Sequence, residues 1–172
     1  MPAREILLLG NPTLMQTSAE ITDPAAPETQ TLVRDLDHTL AAFRAERGFG
    51  RGIAAPQIGR LQRVISVRMF DESFAGPLIN PAIAARSDNT IEMWDSCFSF
   101  PDLLVRVSRA SEITVNYTDQ HGQSQTLDAD SDLAELLQHE IDHLDGILAV
   151  HRAITPAAFM TRDEWERQGR PQ

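Results

Sequence analysis

Residues 139 to 143 read His139-Glu140-Ile141-Asp142-His143. Two histidines four apart lie one turn from each other on the same face of an α-helix, so both imidazoles can reach one metal ion. Glu140 follows the first of them. A carboxylate there can take a proton from a water held at such an ion and pass it to a leaving group. The spacing points to metal-assisted hydrolysis. The competing reading is a polar face with two solvated histidines, and the flanks argue against it. Leu133, Leu136, Leu137, Ile141, Leu144, Ile147 and Leu148 repeat at helical spacing. They predict a core helix over residues 131 to 146, with Asp130 or Ser131 as its N-cap and Gly146 as its stop. A buried helix that carries paired imidazoles needs a partner for them.

The rest of the chain reads as a frame for that helix. Its 172 residues suffice for one domain with a real core, and 42% apolar with 23% charged residues is ordinary for a globular protein. Leu32, Val33, Leu36, Leu40 and Phe43 predict a helix over residues 28 to 47, closed by Gly48, with His38 on its surface. Residues 48 to 59 are rich in glycine and small side chains, which lets a backbone approach something closely; the alternative is a flexible connection. No Gly-Lys-Ser/Thr ending makes this stretch a phosphate loop.

Strand signals follow at Val64-Ile65-Ser66-Val67 and at Ile113, Val115 and Tyr117. Asp119-Gln120-His121-Gly122 reads as a hairpin turn with an idle, exposed His121. Pro77-Leu78-Ile79-Asn80-Pro81, bounded by prolines, reads as a short or edge strand. Residues 1 to 25 are irregular. The tail is polar, with a short helix expected near Pro156 to Trp165. The expected class is α+β: short antiparallel strands around a central core helix. Residues 1–172 form a single catalytic domain in this reading, with 151–172 a variable tail.

The net charge of −10 argues against a nucleic-acid or anionic-membrane surface. No apolar run approaches a membrane span, and Ile6-Leu7-Leu8-Leu9, behind Pro2 and Glu5, is too short for a signal peptide, so the expected location is cytoplasmic. A lone cysteine excludes an intrachain disulfide. Its thiol is inert packing, a nucleophile or a ligand. A catalytic zinc-like site usually has three protein ligands and one open position. The third ligand is then an Asp, a Glu, another His or Cys97, which lies in Met93-Trp94-Asp95-Ser96-Cys97-Phe98-Ser99-Phe100-Pro101.

Three segments, in this order and at these separations, resemble peptide deformylase: Gly50-Arg51-Gly52-Ile53-Ala54-Ala55-Pro56-Gln57, Asp95-Ser96-Cys97-Phe98-Ser99, and Gln138-His139-Glu140-Ile141-Asp142-His143-Leu144-Asp145-Gly146. Asn11-Pro12-Thr13-Leu14 is a weaker echo, and the resemblance spans roughly residues 5 to 150. It implies a hydrolase that removes the formyl group from the N-terminal methionine of new polypeptides and releases formate. It implies Cys97, His139 and His143 as ligands of one divalent metal, Fe(II) in the cell with Zn, Ni or Co as substitutes. Glu140 becomes the general acid/base. The Gln57 amide and the Phe98 backbone N–H become the oxyanion donors. Gly52 and its neighbours Arg51 and Ile53, with Met93 and Leu136, line the groove where an extended peptide pairs with backbone. The implied partners are N-formylated nascent peptides at the ribosome, with no direct nucleic-acid or membrane contact, and the protein is a monomer or weak homo-oligomer.

The chain departs from the family pattern in places. Ser96 stands where glycine is usual, which requires a negative φ there. Leu104 replaces an arginine that engages substrate backbone, with Arg106 as a substitute from another angle. Arg51, Asp132 and Glu135 fall where pocket residues are usually apolar. These charges are expected to face solvent; the alternative is a polar pocket in place of a methionine pocket. Two further functions stay in view: a hydrolase for another formamide or short N-acyl group, and a HExxH protease taking His151 as third ligand. A non-enzymatic relative that binds peptide or ribosome needs none of Gln57, Cys97, His139, Glu140 and His143.

Overall fold

The strand Val64–Arg68 is buried on both faces along Val64, Ile65, Ser66 and Val67, and this decides the layering. Successive side chains of a strand point to opposite sides, so both sides of this sheet are covered. In the computed structural model, which describes residues 3–171, the covers are two helices. The helix α1 (Pro27–Arg47) sets Leu32, Val33, Leu36 and Leu40 against Val64, Ile53 and Ile79. The helix α2 (Ser131–Leu144) sets Ala134, Leu137, Ile141 and Leu144 against Ile65, Val67, Leu78 and Val115. Truncating a fully buried leucine such as Leu137 to alanine in a core of this kind costs about 2 to 5 kcal/mol.

The sheet between them is antiparallel throughout. Its order is β1 (Gly52–Ala54), β2 (Val64–Arg68), β3 (Ala75–Arg86), β6 (Glu112–Thr118), β7 (Ser124–Asp130). A second antiparallel sheet runs β4 (Thr90–Cys97), β5 (Phe100–Ala110), β8 (Phe159–Thr161). Its apolar side, Phe100, Val105 and Val107, packs with Leu14 and Leu148. A short helix, α3 (Arg162–Arg167), ends the chain's regular structure, and 3-10 turns at Pro12–Met15, Ala55–Ile58 and Ala149–Arg152 join the pieces. The fold is therefore mixed helix and antiparallel sheet. Residues 1, 2 and 172, the ends of the expected domain, lie outside the described residues.

Several local expectations are met. α1 stops at Gly48, whose φ of 76° is left-handed and whose N–H donates to the Arg44 carbonyl. His38 and His121 are exposed. Two others are corrected, and one is met in part. The Pro77–Pro81 stretch lies inside β3, the central strand of the larger sheet, and not at an edge. The prolines are tolerated because β6 pairs with β3 only from Ile79 onward, so Pro77 has β2 alone beside it, while Pro81 sits in a bulge between Ile79 and Ala82. Asp130 does occupy the N-cap of α2, but its side chain makes no capping hydrogen bond there. Ser131 makes the reversal itself at φ 48°, and its N–H donates to the Ser111 carbonyl. The tail helix begins later than expected, at Arg162, because Phe159–Thr161 is taken up by pairing with β5.

Candidate active site

The end of β4 and one face of α2 meet at three atoms. Cys97 Sγ lies 3.2 Å from His143 Nε2, which lies 3.2 Å from His139 Nε2. All three side chains are buried. Lone pairs aimed at one another in a dry interior need a shared proton or cation. A thiolate with two imidazoles suits a borderline divalent metal ion, so the donor set fits one. His139 Nδ1 is tied to Asp95 Oδ2 at 2.9 Å, which puts its proton on that side and turns the Nε2 lone pair toward the cluster. His151, the protease-type alternative, accepts from the Leu148 N–H at 3.0 Å and is exposed, away from this cluster.

The electrostatics follow from burial and from Asp95. Burial opposes a charge on Asp95, but His139 and Arg109 beside it outweigh that and hold its pKa at about 2. Burial would lower the pKa of His139; Asp95 and Cys97 reverse this and push it well up. Burial, then the neighbouring His139, push His143 well down. Proton and metal thus compete for the same three donors.

Glu140 is buried, and its Oε2 has no hydrogen-bond partner among the described residues. Burial raises its pKa to about 7. Gly52 explains how the carboxylate fits: a Cβ there would lie 2.6 Å from Glu140 Oε1. Across the cavity, Gln57 is almost fully buried. Its Oε1 accepts from the Ala54 N–H at 2.8 Å, which turns its NH2 inward to Cys97 Sγ at 3.5 Å and Ser99 Oγ at 3.4 Å. The Phe98 ring stacks on Phe43 at 3.7 Å between centroids.

Arg51, Gly52 and Leu136 line one cavity of about 150 Å³ together with Gln57, Cys97, His139 and Glu140. Met93 lies instead in an adjoining outer groove, which also contains Arg51, Phe70, Trp94 and Glu135. Ile53 is 0% exposed as a whole residue and packs with α1, so of the groove residues expected on β1 it is Gly52, and not Ile53, that lines the cavity. Of the charges expected in solvent, Asp132 is there, with 85% of its side chain exposed, but Glu135 is turned inward at 7% and pairs with Arg51 at 2.7 Å. Leu104 is buried, and Arg106 pairs with Glu92 on the surface. Ser96 lies outside the positive-φ residues.

The supporting groups escaped the sequence reading. Arg109 bridges Asp95 at 3.0 Å and Asp142 at 2.9 Å, and Arg152 reaches Asp142 from outside at 2.8 Å. Gln138 grips Ala110 by both backbone groups, at 3.1 and 2.9 Å, and so fixes α2 to β5. Alternating polar positions on β5 were the one available signal for Arg109.

A family profile described as polypeptide deformylase matches residues 3–158. The chain belongs to the polypeptide deformylase family. Its curated relatives include the peptide deformylase of Brachyspira hyodysenteriae, 39% identical over 155 residues, covering 87% of this chain and 80% of the relative. Another, from a strain of Prochlorococcus marinus, is 37% identical over 161 residues, covering 92% of this chain and 76% of the relative. Among solved structures, the Thermotoga maritima peptide deformylase superposes with a TM-score of 0.82 at 26% identity, covering 90% of this chain and 100% of that one. The Synechococcus elongatus peptide deformylase in complex with actinonin gives 0.82 at 29% identity, covering 98% and 87%. The deformylase match ends at residue 158, so β8 and α3 lie beyond it. Family membership makes the protein a metal-dependent hydrolase, and the Cys97, His139 and His143 cluster is its candidate metal site. No helix among the described residues is long and apolar enough to cross a membrane.

Proposed function

We propose that the protein hydrolyses the N-formyl group of newly made polypeptides, formyl-methionine ends included, releasing formate and a free amino terminus. The observation that carries this is the buried Glu140 carboxylate, its Oε2 without a hydrogen-bond partner among the described residues, in one cavity with Cys97 and His139 of the Cys97, His139 and His143 cluster. A divalent ion held by those three residues, Fe(II) in the cell and Zn, Ni or Co in substitution, supplies Lewis acidity toward water and the formyl oxygen.

The remaining steps belong to the chain. Glu140 takes the proton of the attacking water; a pKa raised toward 7 suits a group that accepts and then returns a proton near neutrality. The Gln57 NH2, held inward by the Ala54 N–H, and the Phe98 backbone N–H donate to the oxygen on which charge develops. Each donor in such a place is worth about 3 kcal/mol of barrier. Glu140 then delivers its proton to the departing nitrogen. The outer edge of β1 at Gly52, where the strand ends the sheet and lines the cavity, receives the extended peptide as an added strand, while Arg51, Leu136 and, further out, Met93 meet its side chains. Residues 1–172 act as one catalytic unit with a variable tail from 151. The protein works in the cytoplasm, on nascent chains at the ribosome, as a monomer or weak homo-oligomer.

Glu140→Gln is the test. Metal analysis of anaerobically purified protein should show one ion per chain before and after the exchange, while formate release from formyl-Met peptides disappears. Undiminished release would remove Glu140 as the base, and no release by the native, metal-loaded protein would remove the function.

A further inference from the structure

The Arg51–Glu135 ion pair is placed where a first side chain must go. Glu135 precedes His139 by one helical turn on the same face of α2, and Arg51 adjoins Gly52, whose lack of a Cβ leaves the space that the Glu140 carboxylate occupies. The two therefore flank the reacting position from opposite elements. Glu135 Oε2 and Arg51 Nη2 are 2.7 Å apart, the Glu135 side chain is 7% exposed and that of Arg51 25%. Both form part of the wall of the roughly 150 Å³ cavity lined by Cys97, His139 and Glu140, and both also face the outer groove. Arg51 Nη1 is meanwhile anchored at the rim by the exposed Asp132, 3.3 Å away.

A peptide whose formyl carbon stands between Glu140 and the Cys97, His139 and His143 donors has little room left in that cavity. Its first side chain extends along the pair. A thioether there strips water from a guanidinium and a carboxylate and returns no hydrogen bond. An amide of similar length donates to the Glu135 carboxylate and accepts from Arg51. A wall able to hydrogen-bond its ligand discriminates more strongly than an apolar wall of the same shape. Resting on the deformylase reading above, we infer that this site also takes N-formyl peptides whose first side chain carries an amide or hydroxyl, at least as well as those beginning with methionine, and that Arg51 and Glu135 set this preference.

The test compares formyl-Met-Ala-Ser with formyl-Gln-Ala-Ser on the metal-loaded protein. Formate release should give a kcat/KM for the glutamine peptide equal to or above that for the methionine peptide. Removing both charges together, Arg51→Ile with Glu135→Ile, leaves no buried partner unpaired and should move the ratio tenfold or more toward methionine. Binding of the same two peptides to the Glu140→Gln protein, followed by calorimetry, reads the preference without turnover and without relying on the double variant folding. A native preference for methionine in both rate and binding overturns the inference, as does a folded double variant whose ratio moves less than tenfold. Absence of formate from every peptide, with glutamine-peptide binding intact, would instead strike the hydrolytic reading beneath it.

Discussion

Asp95 Oδ2 accepts from His139 Nδ1 at 2.9 Å and from Arg109 at 3.0 Å, so one carboxylate joins the candidate metal-binding face of α2 to the scaffold of the second sheet. Its charge fixes the His139 tautomer and increases the ring's basicity. Asp95→Asn keeps an acceptor of the same shape and loses the charge. Affinity for the divalent ion should fall about 10- to 100-fold, the range for outer partners of metal ligands. Competition with a chelator checks this, with circular dichroism to show that the fold persists.

Arg109 is the hinge of the buried charge network. Its side chain is 4% exposed, and it neutralises both Asp95 and Asp142. Removing one partner of such a group strands the others, at a cost of about 3 to 5 kcal/mol. Arg109→Met should lower the unfolding free energy from urea titration by that much, the midpoint falling while the slope stays unchanged. Arg152→Met serves as the contrast. Its side chain is 43% exposed, so its pairing with Asp142 is screened, and the loss should stay within about 1 kcal/mol.

That network also marks the limit of what the sequence discloses. The candidate chemistry of α2 was legible because His139, Glu140 and His143 lie within about one helical turn, and the leucine spacing showed the segment to be core. Cys97 became a candidate ligand only through the resemblance of its segment, since a lone cysteine has no pattern of its own. Arg109 was illegible because its partners stand 14 and 33 residues away. The same holds for the pairing of Arg51 with Glu135, 84 residues apart; two charges near Asp132 read as surface until the fold brought one of them inside. β3 was misjudged because two prolines obscured a strand whose local pairing leaves room for them. β5 went unread because Pro101 and Asp102 open it and because Arg109 takes an inward place where the alternation of Val105 and Val107 calls for an apolar residue.

The hairpin between β6 and β7 predicts a small dependence of stability on acid. Asp119 accepts from the N–H groups of Gln123 and His121 at 2.9 and 2.8 Å and from the Gln125 amide at 3.0 Å. The Gln123 bond leads in holding its pKa below the ordinary carboxylate value. A folded-state pKa below the unfolded one stabilises the fold above the unfolded value of about 3.9. The contribution is lost as pH falls through the folded value. Asp119→Asn should therefore have a slightly lower Tm than the native protein at pH 7. The difference should vanish below the depressed pKa, as thermal melts across that range would show. A gap that persists in acid would assign the effect to shape and not to charge.

Gly52 supplies the last prediction, and it separates catalysis from metal binding. A methyl group there would stand 2.6 Å from Glu140 Oε1 and 2.9 Å from its Cγ, too close for both to keep their places. The backbone at Gly52 is not left-handed, so alanine brings no conformational strain of its own. Only the base has to move, because Cys97, His139 and His143 are carried by β4 and α2 and held from behind by Asp95 and Gln138. A displacement near 1 Å at a reacting group costs about 100-fold in rate. Gly52→Ala should accordingly retain its ion and its thermal stability while kcat for formate release falls by about that factor. A variant that loses metal together with activity would show that the contact supports the ligand cluster as well as the base.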